Sequence, residues 1–170
     1  MVKRIVTLGV VLVMMFGVFG GCNSGLWFKV GYNDEGLFGG KEGVAFGLQA
    51  LVNSIDEMKD LCEEWNNPTY QEDSPNFSSE LNKKIREYDE AFFADKSVVV
   101  IQFMGGNIGN GYSHKIKNIM IENEVLVVEH HAIRKKGTWQ DYAVSRVFLI
   151  EVNKLDIATI TEIQVQSIQK

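Results

Sequence analysis

The stretch from Val98 to Ala132, VVVIQFMGGNIGNGYSHKIKNIMIENEVLVVEHHA, restricts the fold of this chain more than any other. Three segments dense in aliphatic residues, Val98–Phe103, Tyr112–Ile121 and Val125–Ala132, are separated by two groups of turn formers. Short apolar runs bounded by Gly and Asn predict strands joined by turns, and together they predict the core of a sheet. Glu122-Asn123-Glu124 reads as a tight hairpin turn. With Ile121 set opposite Glu124, His114 stands across from His131, and His130 points to the other face. Two facing histidines suit a metal ion, but no third ligand is identifiable, so neither a metal nor a cofactor is assigned.

The residues upstream supply helices. Val44 to Leu51 alternates like a strand and leads into Ser54, whose side chain is placed to accept from the first helical turn while Glu57 reaches back. Ile55, Met58, Leu61, Cys62 and Trp65 then recur at helical spacing, and Cys62 reads as a small buried hydrophobe rather than a reactive thiol. Asn66-Asn67-Pro68 closes this helix, and PTYQEDSPNFSS is a loop. Ser79 caps a second helix with an apolar stripe at Leu81, Ile85, Tyr88 and Phe92; Asp89, Glu90 and Asp95 read as its solvated end rather than as acid-base carboxylates. Val144–Val152 and Leu155–Ile168 add strands, with Asn153-Lys154 as the bend. The expected class is α+β: an antiparallel β-sheet, mostly from residues 97–168, with two N-terminal amphipathic helices between residues 54 and 93 packed on one face.

Residues 1–21 are set apart from the fold. Lys3 and Arg4 precede an apolar run from Ile5 to Phe19 that is short for a membrane span and ends in small residues before Cys22. Phe19-Gly20-Gly21-Cys22 resembles a bacterial lipobox, which implies a lipoprotein signal peptide over 1–21 and a diacylglycerol on Cys22. Residues 22–43, rich in Gly, Asn and Asp, read as a flexible tether, with Trp27 and Phe28 alternatively packing back as a short edge strand. Residues 44–170 form a single α+β domain. The implied location is extracytoplasmic, held to the bacterial cell membrane by lipid.

Charge and cysteine content narrow the function. The whole chain carries −5 at pH 7, and removing Lys3 and Arg4 with the signal makes the remainder more acidic, which argues against nucleic acid as a partner. With Cys22 lipidated, Cys62 has no partner for a disulfide, and no Cys-x-x-Cys pair supports zinc. The glycines of MGGNIGNG do not make a phosphate loop, because a strand follows rather than a helix opened by Gly-Lys-Ser/Thr. That loop instead offers Asn107, Ile108 and Tyr112 as candidate binding residues. A second candidate group is Arg134, Lys135 and Lys136 with Trp139, the basic cluster between two strands.

Tyr88-Asp89-Glu90-Ala91-Phe92-Phe93, VVVIQF, Tyr112-Ser113-His114-Lys115-Ile116, LVVEHHAIRKKGTW and VFLIEVNK occur in that order over residues 44–156. In this the chain resembles small secreted and lipoprotein domains of Gram-positive bacteria to which no activity is attached. The Gly111-Tyr112 hairpin leading to Ile116, with the Ile150-Glu151-Val152 strand, is also similar to the C-terminal domain of PrcB-type lipoproteins. Those stabilise a surface protease complex, so the resemblance implies an envelope protein partner. Without a Ser-His-Asp or Cys-His set, the expected function is a binding or complex-stabilising module rather than an enzyme; a protease inhibitor-like module and an unrecognised envelope enzyme are the alternatives. Lipidation is directly testable. Metabolic labelling with a fatty-acid probe is expected to mark the wild-type protein and leave Cys22→Ser unmarked; an unmarked wild type would refute the assignment.

Overall fold

The computed structural model describes residues 25–35, 37–40, 47–105, 112–136 and 144–169. In chain order the elements are β1 (Phe28–Glu35), β2 (Leu48–Val52), α1 (Ile55–Glu64), α2 (Glu80–Arg86), α3 (Glu90–Asp95), β3 (Lys96–Gly105), β4 (Tyr112–Glu122), β5 (Val125–Arg134), β6 (Val144–Asn153) and β7 (Glu162–Gln169). A short 3-10 turn, Leu155–Ile157, links the last two strands. The class is α+β, with three short helices among the described residues rather than two.

The strands form two sheets where the sequence suggested one, ordered β1-β6-β3-β2 and β4-β5-β7. β3 pairs with β6 and β2, not with β4, its neighbour in sequence. β4 and β5 make the expected antiparallel hairpin, but β7 runs parallel to β5, which corrects the all-antiparallel expectation. The cause is connectivity: β6 ends beside the end of the molecule where β5 begins, and the short 3-10 link feeds β7 in from that same end.

Residues of β3 and β6 alternate between two cores. Val98, Val100, Val147 and Leu149 join Met58, Leu61, Trp65, Leu81, Ile85, Tyr88 and Phe93 from the helical region. Their neighbours Val99, Ile101, Phe148 and Ile150 join Ile116, Ile119, Leu126 and Val128 of the second sheet. Period-two alternation on strands buried from both sides thus produces one core on each face of the first sheet.

Local signals set the helix limits. The Ser54 hydroxyl accepts from the Glu57 backbone N–H at 3.1 Å, and the Glu57 carboxylate accepts from the Asn53 backbone N–H at 2.7 Å. Asn66, at φ 51°, ends α1: its N–H donates to the Glu63 carbonyl and that of Asn67 to the Cys62 carbonyl, the paired bonds of a left-handed C-cap. Ser79 caps α2 as expected. Asp89, one of the acidic trio, caps α3 by accepting from the Phe92 N–H at 2.8 Å, which explains its presence without catalysis.

The reading of 22–43 as a tether is corrected over its described part. Phe28–Glu35 is a strand on β6, and Phe38 is buried, its N–H donating to the Gln102 side chain. The alternative of an edge strand holds from Phe28 onward, and a bulge at Gly31 hid the strand's full length from the sequence pattern. Phe28 and Val30 pack in the second core, but after the register shift Tyr32 packs in the first, so simple alternation fails. Gly31 also lies where a side chain does not fit: a Cβ there would meet the Tyr88 hydroxyl, Glu151 Oε1 at 2.8 Å and Lys84 Cε at 3.1 Å. Those atoms belong to a buried polar group in which Glu151 pairs with Lys29 at 3.3 Å and Lys84 at 3.6 Å. Gly31→Ala is therefore expected to destabilise the fold by about 1–3 kcal/mol in urea unfolding. Gly40→Ala, with nothing within 4 Å of its added Cβ, serves as the control and should change stability by no more than about 0.5 kcal/mol.

Candidate functional site

β3 ends at Gly105 opposite Val144, where β6 begins, and β4 begins at Tyr112 opposite Arg134, where β5 ends. Residues 106–111 join the first of these strand ends to β4, and residues 137–143 lie on the connection from β5 back to β6. Both connections thus start and finish at one end of the two-sheet stack. Of the candidate binding residues, Tyr112 is partly buried on β4, and Arg134, Lys135 and Lys136 are exposed at the close of β5. Asn107, Ile108, Trp139 and the lipidation residue Cys22 lie outside the described residues.

Just inside this end, two histidines meet, and they are not the pair expected. His114 stands opposite Ala132 in the ladder, and its Nδ1 lies 3.0 Å from Nε2 of His130. A bulge in β4, with Lys117 left over between Ile116 and Asn118, accounts for the correction. Asn123 and Glu124 both adopt positive φ, 52° and 66°, so they alone form the turn, and Ile121 pairs with Leu126 rather than with Glu124. That two-residue shift leaves every side chain on its face; the single extra residue of the bulge exchanges faces along the start of β4, setting His114 on the side of Leu126, Val128 and His130, while His131 lies on the opposite face beside Glu129.

The two imidazoles are nearly coplanar, with 4° between their planes, and form a chain that ends where His130 Nδ1 lies 3.1 Å from the Ser167 hydroxyl on β7. Phe103 stacks on the His130 ring at 4.6 Å between centroids, and Phe148 meets it at 5.7 Å. Both histidines are buried, His114 at 6 % and His130 at 2 % exposure. Around them the Asn33 amide donates to the His114 carbonyl at 2.9 Å, and Arg146 donates to the Asn33 side-chain oxygen at 3.1 Å. Sequence pattern gave no sign of Asn33, Phe103, Arg146 or Ser167, because only the strand pairing brings them together.

Electrostatics fix what this chain can do. Burial first, then the Arg146 guanidinium and the adjacent imidazole, hold His114 down at about 4, and burial followed by the His131 and Arg146 charges holds His130 at about 4. Neutral imidazoles can share protons through complementary tautomers, one nitrogen donating and the other accepting. A base this weak has little power to activate the Ser167 hydroxyl at neutral pH, where an effective general base has its pKa near the working pH. No group of three or more His, Cys, Asp and Glu side chains placed for a metal ion occurs among the described residues. Cys62 is buried, and burial pushes its thiol up to about 12, the state of a packing residue rather than a nucleophile.

No protein-family model, no curated protein and no solved structure matches this chain.

The buried pair predicts acid sensitivity. Below pH 6.5 the unfolded chain protonates both histidines, whereas the folded chain resists until about pH 4. The unfolded state therefore binds more protons within that window, and stability falls as pH drops through it, with a slope of about 1.4 kcal/mol per pH unit for each histidine. Urea unfolding at several pH values across the window should show this slope, and a His114→Gln, His130→Gln variant should lose it. A wild-type free energy that stays level would contradict the assignment.

Proposed function

We propose that the chain is a lipid-anchored protein of the bacterial envelope whose α+β domain binds another envelope protein, or stabilises a complex of such proteins, without catalysing a reaction. The observation that carries this reading is the convergence of the strand ends flanking residues 106–111 and 137–143 on one end of the stack. Asn107, Ile108 and Tyr112 from the first connection would then act together with Arg134, Lys135, Lys136 and Trp139 from the second. Tyr and Trp provide large contact area at low conformational cost, and the basic residues select an acidic partner surface. In this reading the helices between residues 54 and 93 back one face of the antiparallel sheet and take no part in binding; the burial of Met58, Leu61, Leu81, Ile85 and Phe93 supports that division.

The likeness of Gly111-Tyr112 and Ile150-Glu151-Val152 to PrcB-type lipoproteins, which stabilise a surface protease complex, supports a protein partner over a small ligand. The FGGC segment supports the anchor at Cys22. A photo-crosslinker at Lys136 in intact cells should capture the partner, while one at Lys59 on α1 should not. A Tyr112→Ala, Trp139→Ala variant with unchanged thermal unfolding should reduce capture at least about tenfold, as expected for removal of two central aromatic contacts. Undiminished capture by that variant would rule out these loops as the contact.

A further inference from the structure

The end of the stack opposite the loops carries side chains that neither core accounts for. Trp27, which immediately precedes β1, is 49 % exposed, and Leu155, in the 3-10 turn after β6, is 91 % exposed. Phe28 pairs with Val152 and Lys96 with Asn153, so Trp27, Lys96 and the start of that turn gather at one corner of the first sheet. Lys96 Nζ lies 5.2 Å from the centroid of the Trp27 ring and 5.8 Å from that of Phe92.

We propose that this corner, Trp27 with Leu155 and Lys96, is a lipid-contacting surface on which the anchored domain rests, with the loop-bearing end turned away from the bilayer. The proposal rests on the lipid-anchored reading of Cys22 and adds to it an orientation. Covalent geometry supplies the first argument. The Leu26 N–H donates to the Ile119 carbonyl at 2.7 Å, which ties the start of the described chain to β4. Only Asn23 and Ser24 stand between Cys22 and Gly25, so an extended link holds Cys22 within about 11 Å of Gly25. Tyr112 lies seven residues farther along β4 from Ile119, about 23 Å at the usual strand rise. An acylated Cys22 thus brings the Trp27 corner to the headgroups and keeps the loops away from them.

Side-chain chemistry supplies the second argument. Tryptophan favours the boundary between headgroups and acyl chains, an exposed leucine gains by entering it, and a lysine whose ammonium lies over the Trp27 ring stands at phosphate level when that ring sits at the boundary. The charged groups of the same end also set the tilt. Asp95 and Asp156 flank the corner, whereas Glu122, Glu124 and Glu162 cluster at the near end of the second sheet. An anionic bilayer repels that second group, so the domain leans on the Trp27 side.

Full-length acylated protein carrying a single nitroxide at Leu155→Cys, Glu124→Cys or Lys136→Cys, in vesicles of phosphatidylglycerol and phosphatidylethanolamine, tests the proposal. All three sites are exposed, so labelling leaves the cores intact, and Cys62 is buried. The ratio of oxygen collision to collision with a water-soluble nickel chelate should be several-fold higher at position 155 than at 124 or 136. Equal ratios at all three positions, or a label at 124 as deep as that at 155, overturn the proposal. So does spin–spin broadening at 155, the signature of a second copy seated on the corner. Mass spectrometry of the same sample separates the two readings: a chain without acyl on Cys22 defeats the anchor and this orientation together, while an acylated chain with a water-exposed label at 155 defeats the orientation alone.

Discussion

Everything else in this molecule depends on the antiparallel ladder between β3 and β6. Because their side chains are buried on both faces, each central strand supplies two cores, and burial of each aliphatic or aromatic side chain contributes about 1.5–3 kcal/mol. The few polar residues on these strands must find partners, since an unpaired buried polar group costs about as much as such a side chain gains. Those partners turn out to be the peripheral segments. The Ser97 hydroxyl donates to the Asn53 side chain at the start of α1, Gln102 binds the backbone of Phe38 and Gly39, and Glu151 pairs with Lys29 of β1 and Lys84 of α2. The apolar pattern of the ladder therefore fixes the layers, and its polar exceptions fix where the outer elements dock.

That division explains what could be read from the residues. Strand identity over 98–103, 112–121, 125–132 and 144–152 was legible, because aliphatic runs bounded by turn formers are a local signal. So were the caps at Ser54 and Ser79, which act over three residues. Partnership was not: β3 finds β6 across the intervening hairpin, and nothing in VVVIQF distinguishes β6 from β4 as its neighbour. Strand β1 was legible only as an alternative at Phe28, since the bulge at Gly31 interrupts the very alternation by which a strand is recognised in a glycine-rich segment.

The histidine site was half legible. That histidines of β4 and β5 face each other follows from the hairpin, but which of His130 and His131 meets His114 depends on a single residue of register in β4. That residue is Lys117, extra in β4 between Ile116 and Asn118; no glycine marks the bulge in the sequence, so an unbroken ladder sets His114 against the wrong face of β5. Once inside, His130 is held between Phe103 and Phe148 and bonded to His114 and Ser167. Each of these contacts penalises any register that would turn it outward, so the polar chain helps select the pairing, although the buried His114 Nε2 has no hydrogen-bond partner in the protein.

The adjacency of the two candidate binding connections has its origin in topology rather than in their own residues. β3 ends at the same end of the stack where β4 begins; the hairpin carries the chain down and back, so β5 returns to that end, and β6 must start there to pair with β3. Inserting a two-stranded hairpin of the second sheet between two antiparallel partners of the first forces both crossings to the same end, whatever sequence they carry. β1 and β2 obey the same constraint, since Glu35 lies opposite Arg146 and Leu48 opposite Gln102, which sets their connection there as well. The opposite end receives the hairpin turn, the link to β7 and the entry of the chain at Leu26. A fold so wired keeps its crossings and its entry apart: the connections at one end can change in length and composition without disturbing either core, while Leu26 leads into β1 at the other.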